Sequence, residues 1–248
     1  MTGRWARVVG LVALALAPRA FAYRPFDQTD ADVAELHVIE LEIGPLQLER
    51  FEGRTDYVPT FIFNAGVLPG WELVVDVAGS GTIAGPREPG EVFQLEAGVA
   101  FKGVLRRGSL QEETGPSIAV EPELLLPATA GSSGFGFAAG VIVSQRWPAF
   151  TLHLNLVPAL SRAHNVAGTV GFIAEGPAEW TVRPVGEAYV EAEHAVPGVT
   201  TSFLGGMIWR ISSRISGDAA VRVGTVSGSG LVELRVGLTW DVPLRQLT

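Results

Sequence analysis

Apolar and polar side chains change places at nearly every residue of this chain, and that alternation limits what it can fold into more than any other feature. In "LVELRVGLTWDV", Val232, Leu234, Val236, Leu238, Trp240 and Val242 fall on one face and Glu233, Arg235, Gly237, Thr239 and Asp241 on the other. A period of two residues is that of a β-strand whose faces meet different surroundings. "WELVVDVAG" sets Trp71, Leu73, Val75 and Val77 against Glu72 and Asp76, and "FTLHLNLVP" sets Phe150, Leu152, Leu154 and Leu156 against Thr151, His153 and Asn155. No segment shows the apolar stripe of an amphipathic helix. Turn signals such as Leu68-Pro69-Gly70, Trp147-Pro148 and Gly176-Pro177 cut the chain at regular intervals. They predict about twelve strands, centred near residues 40, 61, 75, 97, 121, 140, 154, 171, 187, 206, 222 and 236.

The N-terminus narrows the choice. "MTGRWARVVGLVALALAPRAFA" has Arg4 and Arg7, an apolar run from Val8 to Ala17, and Ala20-Phe21-Ala22 as a small-x-small site. This pattern predicts a secretory signal peptide over residues 1–22, cleaved after Ala22. The apolar run is about half the length of a spanning helix. Beyond it no stretch is apolar for long enough to cross a bilayer as a helix, so the expected single domain, residues 23–248, is a soluble β-sandwich or a membrane barrel. An exported chain with no cysteine has no disulfide framework and must rely on a large core or a closed sheet. The formal charge of −8 becomes −11 when Arg4, Arg7 and Arg19 leave with the leader, which argues against nucleic acid as a partner.

The polar faces decide between the two architectures. They are rich in Gly98, Ala100, Gly136, Ala138, Gly140 and Gly237 mixed with charges, as suits a crowded interior. A water-facing sheet would carry more lysine and threonine, and Lys102 is the only lysine. Trp71, Trp147, Phe150, Trp180 and Trp240 stand at strand ends, where an interfacial girdle would place them. The expected fold is all-β: a transmembrane antiparallel up-and-down barrel of about twelve strands in the outer membrane of a Gram-negative cell, facing lipid, with both termini in the periplasm.

Arg235 to Val242 reads polar-x-Gly-x-x-aromatic-x-apolar and resembles the C-terminal signal that hands outer-membrane barrels to their assembly machinery. Pro243 to Thr248 follow it as a short periplasmic tail. Three stretches carry a wider resemblance: "YRPFDQTDADVAELHVIELEIGPLQLER", "VPTFIFNAGVLPGWELVVDVAG" and "GVLRRGSLQEETGPSIAVEPELLLP". With them the chain is similar to the outer-membrane barrel family named for the meta-pathway of phenol degradation, a family labelled as transporters. The resemblance implies a barrel with uptake or channel activity and carries over no substrate.

If the polar faces point inward, the lumen is lined by Glu40, Glu42, Glu72, Asp76, Glu96, Lys102, Glu121, Glu123, His153, Asn155, Glu187, Glu191, Arg222, Glu233 and Arg235, joined by Glu175, Glu179, Glu193, Arg183 and Asp241. Closing the sheet sets the last strand beside the first, which predicts an ion pair from Arg235 to Glu40 or Glu42. An acidic lining favours cations or neutral solutes, so the expected function is a channel for small solutes. The alternatives are a structural barrel without transport, a lipid-hydrolysing barrel or a soluble periplasmic sandwich. "SRAHN" sets Ser161 and His164 three apart and reads as a solvated loop, no serine and histidine set resembles a lipase, and no spacing suggests a metal or cofactor. The expected catalytic, metal and cofactor residues are therefore none.

Overall fold

The computed structural model describes residues 24–244 except 88–90, 132–133 and 195–197. The leader with its cleavage site and the tail residues 245–248 lie outside the described residues. The strands are β1 (Val38–Phe51), β2 (Arg54–Tyr57), β3 (Thr60–Leu68), β4 (Trp71–Ala84), β5 (Gln94–Arg106) and β6 (Ser117–Leu125). They continue as β7 (Gly136–Arg146), β8 (Thr151–Leu160), β9 (Val166–Glu175), β10 (Val182–Glu193), β11 (Thr200–Arg210), β12 (Ile215–Val226) and β13 (Ser229–Pro243). Among the described residues no helix is long and apolar enough to cross a membrane, and the helical content is one 3₁₀ turn, Ser109–Gln111.

Thirteen segments make twelve staves, because β2 and β3 are two halves of one. Both pair with β1 on one side and β4 on the other. The interruption falls at Val58-Pro59, where proline has no N–H for the ladder. The main chain bridges the gap through Val58 N to Gln47 O at 2.9 Å and Gly79 N to Pro59 O at 2.8 Å. Every other stave pairs antiparallel with its sequence neighbour, and β13 closes on β1 from Val38 opposite Pro243 to Phe51 opposite Leu231. The last strand therefore includes Pro243, and Leu244 N still donates to His37 O at 2.8 Å, so the ordered edge runs two residues past Val242.

The faces sort as the alternation predicts. Leu154, Leu156, Phe172, Val221, Val232 and Leu234 stand exposed on the outside, while Glu121, His153, Asn155, Glu187, Glu233 and Arg235 are buried. A sheet closed on itself with an apolar exterior and a charged interior inverts a water-soluble protein and matches a lipid surroundings. That topology replaces the soluble sandwich, which needs two sheets packed face to face. Trp71, Trp147, Phe150, Trp180 and Trp240 all gather at the mouth where β1 begins and β13 ends, and Trp209 joins them. Trp71 stacks on Phe101 at 5.0 Å and Trp147 meets Phe150 at 4.8 Å within the girdle at this rim.

Candidate functional site

The interior is filled by a segment that the alternation does not predict. Residues 24–36, "RPFDQTDADVAEL", precede β1 and lack its period, so they have no stave to join. Instead they cross the lumen. Their main-chain donors must be satisfied in a space shut off from water, and the wall supplies the acceptors. Arg24 N donates to Glu42 Oε2 at 2.9 Å, Gln28 N to Glu187 Oε1 at 2.8 Å, Ala31 N to Ser144 Oγ at 2.9 Å and Ala34 N to Glu72 Oε2 at 2.6 Å. Asn155 reads both sides of one peptide, accepting from Thr29 N at 3.3 Å and donating to Thr29 O at 2.8 Å.

The plug's side chains are seated as specifically as its backbone. Phe26, 1% exposed, packs with Ile173, Val185, Leu204, Ile208 and Ala220, an apolar patch on the inward faces of β9 to β12. Burying one such ring contributes about 1.5–3 kcal/mol. Ala31 fits a second patch of Leu110, Ala119 and Ile142. Asp27 bridges two arginines, with Arg222 Nη1 at 2.9 Å and Arg235 Nη2 at 2.7 Å. Lys102 meets the plug through Thr29 Oγ1 at 3.1 Å and Asp30 Oδ1 at 3.4 Å, and the wall through Glu72 Oε1 at 3.5 Å. Burial, the largest influence, would raise the Asp30 carboxyl, but neighbouring charge, led by the Lys102 ammonium, and hydrogen bonds from Asp32 N and Lys102 together hold the group below its usual range. Asp32 is pushed up instead, by burial and by the charge of Asp30.

Arg235 does not pair with Glu40 or Glu42. In the β1 to β13 register Glu40 stands opposite Asp241 and Glu42 opposite Thr239, and Arg235 lies further along the ladder, past a bulge between Ile43 and Leu46, opposite Gln47. Arg235 Nε meets Glu233 Oε1 at 3.0 Å, and Arg222 takes the other oxygen of Glu233. Glu42 is served by Arg24 N and by Asn64 Nδ2 at 2.9 Å, and Glu40 by Asn64 Nδ2 at 3.1 Å.

The remaining expected residues are placed as follows. Glu72, Lys102, Glu121, Glu123, His153, Asn155, Glu187, Glu191, Arg222 and Glu233 are buried in the interior. Glu96 holds Arg162 at 3.1 Å, and Asp76 and Glu123 converge over Gly98, where a Cβ would lie 2.4 Å from Asp76 Oδ1 and 1.9 Å from Glu123 Oε1. Arg183 pairs with Glu175 at 2.9 Å. Glu179 is corrected: it is exposed in the turn after β9, because that strand ends at Glu175. Ser161 also departs from the solvated-loop reading, since it is 1% exposed and donates to Glu193 Oε1 at 2.9 Å.

One arrangement has the outline of a hydrolytic triad. Ser144 Oγ lies 2.8 Å from His153 Nδ1, and His153 Nε2 lies 2.8 Å from Glu175 Oε1. The three assemble because Ser144 pairs with His153 across the β7 to β8 ladder and Glu175 stands two residues beyond Ile173, the partner of His153 in β9. Chemistry there needs an open Oγ and a place for a carbonyl. Ser144 is fully buried, and its Oγ already accepts the Ala31 N–H. The chain of bonds runs from plug to wall and works as an anchor. Among the described residues no group of three or more His, Cys, Asp or Glu side chains is placed to hold a metal.

Space remains on either side of the plug. A cavity of about 500 Å³ opens between Asp30 to Glu35 and a wall of Glu40, Glu72, Lys102, Glu121 and Asp241. A smaller one of about 70 Å³ lies against Phe26 and Asp27, beside Asp76, Glu96 and Arg162.

No family model matches the chain, and no curated protein matches it in sequence. Solved structures match in fold. An outer membrane channel from Pseudomonas putida F1 aligns with a TM-score of 0.67 at 7% identity, covering 86% of this chain and 98% of that one. The NanC porin aligns at 0.60 and 8% identity over 82% of this chain and 100% of that one. The KdgM porin, solved with a disordered oligogalacturonate, aligns at 0.55 and 13% identity over 81% of this chain and 98% of that one. This chain therefore has the fold of an outer-membrane porin barrel.

Proposed function

We propose that the protein is an outer-membrane channel for small solutes, closed at rest by its own residues 24–36. The observation that carries the reading is the seat of that segment: it lies inside the barrel without joining a long ladder, held by side chains of the wall. Among the described residues its one isolated backbone bridge to the barrel is Leu36 to Gly66. A segment attached in this way is separable from the staves. A wall made for permanent closure would use large apolar side chains, whereas this one spends carboxylates and arginines that also suit a wet passage.

Buried carboxylates outnumber buried cations around the plug, with Glu42, Glu72, Glu121, Glu123, Glu187, Asp218 and Glu233 against Lys102, Arg162, Arg222 and Arg235. The opened lumen then favours cationic and neutral solutes. Polyanions such as the oligogalacturonate of the KdgM complex are poor candidates for it. In the same reading the leader is cleaved after Ala22, the assembly machinery takes the strand from Arg235 to Val242, and the family is the one named for the meta-pathway of phenol degradation.

Planar-bilayer recording tests the closure. Wild-type protein should show low conductance with rare openings, and a variant lacking residues 24–35 should show a stable conductance several-fold higher. Equal conductance in the two would remove the plug as a gate, and absence of conductance in both would favour a structural barrel.

A further inference from the structure

The first residue of the plug sits in a pocket with the features of a ligand site. Arg24 is 5% exposed, and its guanidinium makes a two-bond fork with Asp218: Nε to Oδ2 at 3.1 Å and Nη2 to Oδ1 at 3.0 Å. Nη1 donates to Thr60 Oγ1 at 3.0 Å, and Glu42 takes the backbone N–H. The Asp218 side chain is 3% exposed, and among the described ion pairs Arg24 is its partner.

The wall is cut to the shape of the planar cation. A Cβ on Gly237 would come within 2.1 Å of the Arg24 Nε, and one on Gly44 within 2.2 Å of Nη1, so both positions exclude any side chain while the guanidinium is seated. Apart from Arg24, every part of the pocket belongs to the barrel: β1, β3, β12 and β13. A cavity of about 200 Å³ runs from Arg24 and Asp218 to the turn of Ser212 to Ile215 at the girdled mouth, which provides a route to solvent.

We propose that Asp218 and Thr60, between Gly44 and Gly237, form a guanidinium-binding site, with Glu42 beside it to accept a neighbouring N–H, that accepts an arginine-like solute whenever Arg24 leaves it. The proposal rests on the plug being separable. A vacated Asp218 is a buried carboxylate without a cation, and that strongly favours recapture of one. The fork selects a planar guanidinium over an ammonium, because only the former presents two parallel donors. Such a solute competes with Arg24 and so holds the plug open.

Chemical rescue in the full chain tests the site without reference to conductance. Arg24→Ala should lower the temperature at which the barrel loses its compact gel migration. Ethylguanidinium at low millimolar concentration should restore it by ligand linkage, with ethylammonium about tenfold less effective, the scale of one lost charge-assisted bond. Asp218→Asn added to Arg24→Ala should abolish the response. Equal rescue by the two cations, or none by either, would overturn the site. Should Arg24→Ala fail to assemble, wild-type protein in bilayers supplies the second measurement: arginine amide should raise the open fraction several-fold while lysine amide does not, and an equal effect or no effect counts against the site. Rescue without a plug-dependent conductance would leave the site standing and remove the gate, and the reverse result would do the opposite.

Discussion

At the scale of single residues the interior is organised by the need to satisfy buried charge and backbone polarity. Glu233 is fully buried between Arg222 and Arg235. Glu233→Gln removes a wall carboxylate shared by these two arginines and should cost about 3–5 kcal/mol, the range for breaking a buried pair from one side. Urea unfolding in lipid vesicles would measure it. Ser144 stands between the plug and a histidine, so Ser144→Ala strips the Ala31 N–H of its acceptor and His153 Nδ1 of its partner. A loss of about 1–3 kcal/mol for each unsatisfied group follows, with more frequent openings in bilayer recordings. Unaltered stability accompanied by loss of an ester-hydrolysing activity would instead mark Ser144, His153 and Glu175 as a catalytic set. The inward or outward sense of Glu121, His153 and Arg235 was legible from alternation alone. Their partners were not, because a partner is set by register, and the β1 to β13 register places Arg235 opposite Gln47, further along the ladder than Glu42.

At the scale of elements, the last strand shows how local pattern and closure cooperate. Leu234 points outward at the middle of β13 and is exposed there to the membrane interior. Leu234→Arg should destabilise the barrel by about 2–4 kcal/mol, the cost of an arginine near the bilayer midplane, with much less at Trp240 near the rim. Folding titrations of the two variants into vesicles would compare them. The strand positions were readable because each stave carries its own two-residue period and its own turn. The split of one stave at Val58-Pro59 and the extension of β13 to Pro243 were less so, since both depend on which neighbour supplies a hydrogen-bond partner. The tryptophan rim is also a property of assembly. Trp71, Trp147, Trp180, Trp209 and Trp240 belong to different staves and share a rim only because the hairpins alternate in direction.

At the scale of the whole molecule the barrel and its plug are two structures with different grounds for stability. Twelve staves satisfy one another's backbone and are closed, so nothing in their ladders requires residues 24–35. Deletion of that segment should therefore leave the heat-modifiable gel migration of the barrel in place. The opened lumen should then show cation preference: under a potassium chloride gradient the reversal potential should take the sign for potassium. A reversal potential of the chloride sign would mean that Lys102, Arg162, Arg222 and Arg235 dominate the passage once the plug is out.

The all-β barrel, the face each strand turns outward, the apolar exterior and the charged interior were legible in the chain alone. These follow from a period of two residues and from the rule that a backbone in lipid must be internally paired. That residues 24–36 turn into the lumen, that Arg24 meets Asp218 and that Arg235 meets Asp27 emerges with the folded barrel. "RPFDQTDADVAEL" has no period to betray a location, and its contacts with the wall join residues far apart in the chain. Alternation specifies a face, whereas a seat in the lumen is specified by shape and charge that exist only after the sheet has closed.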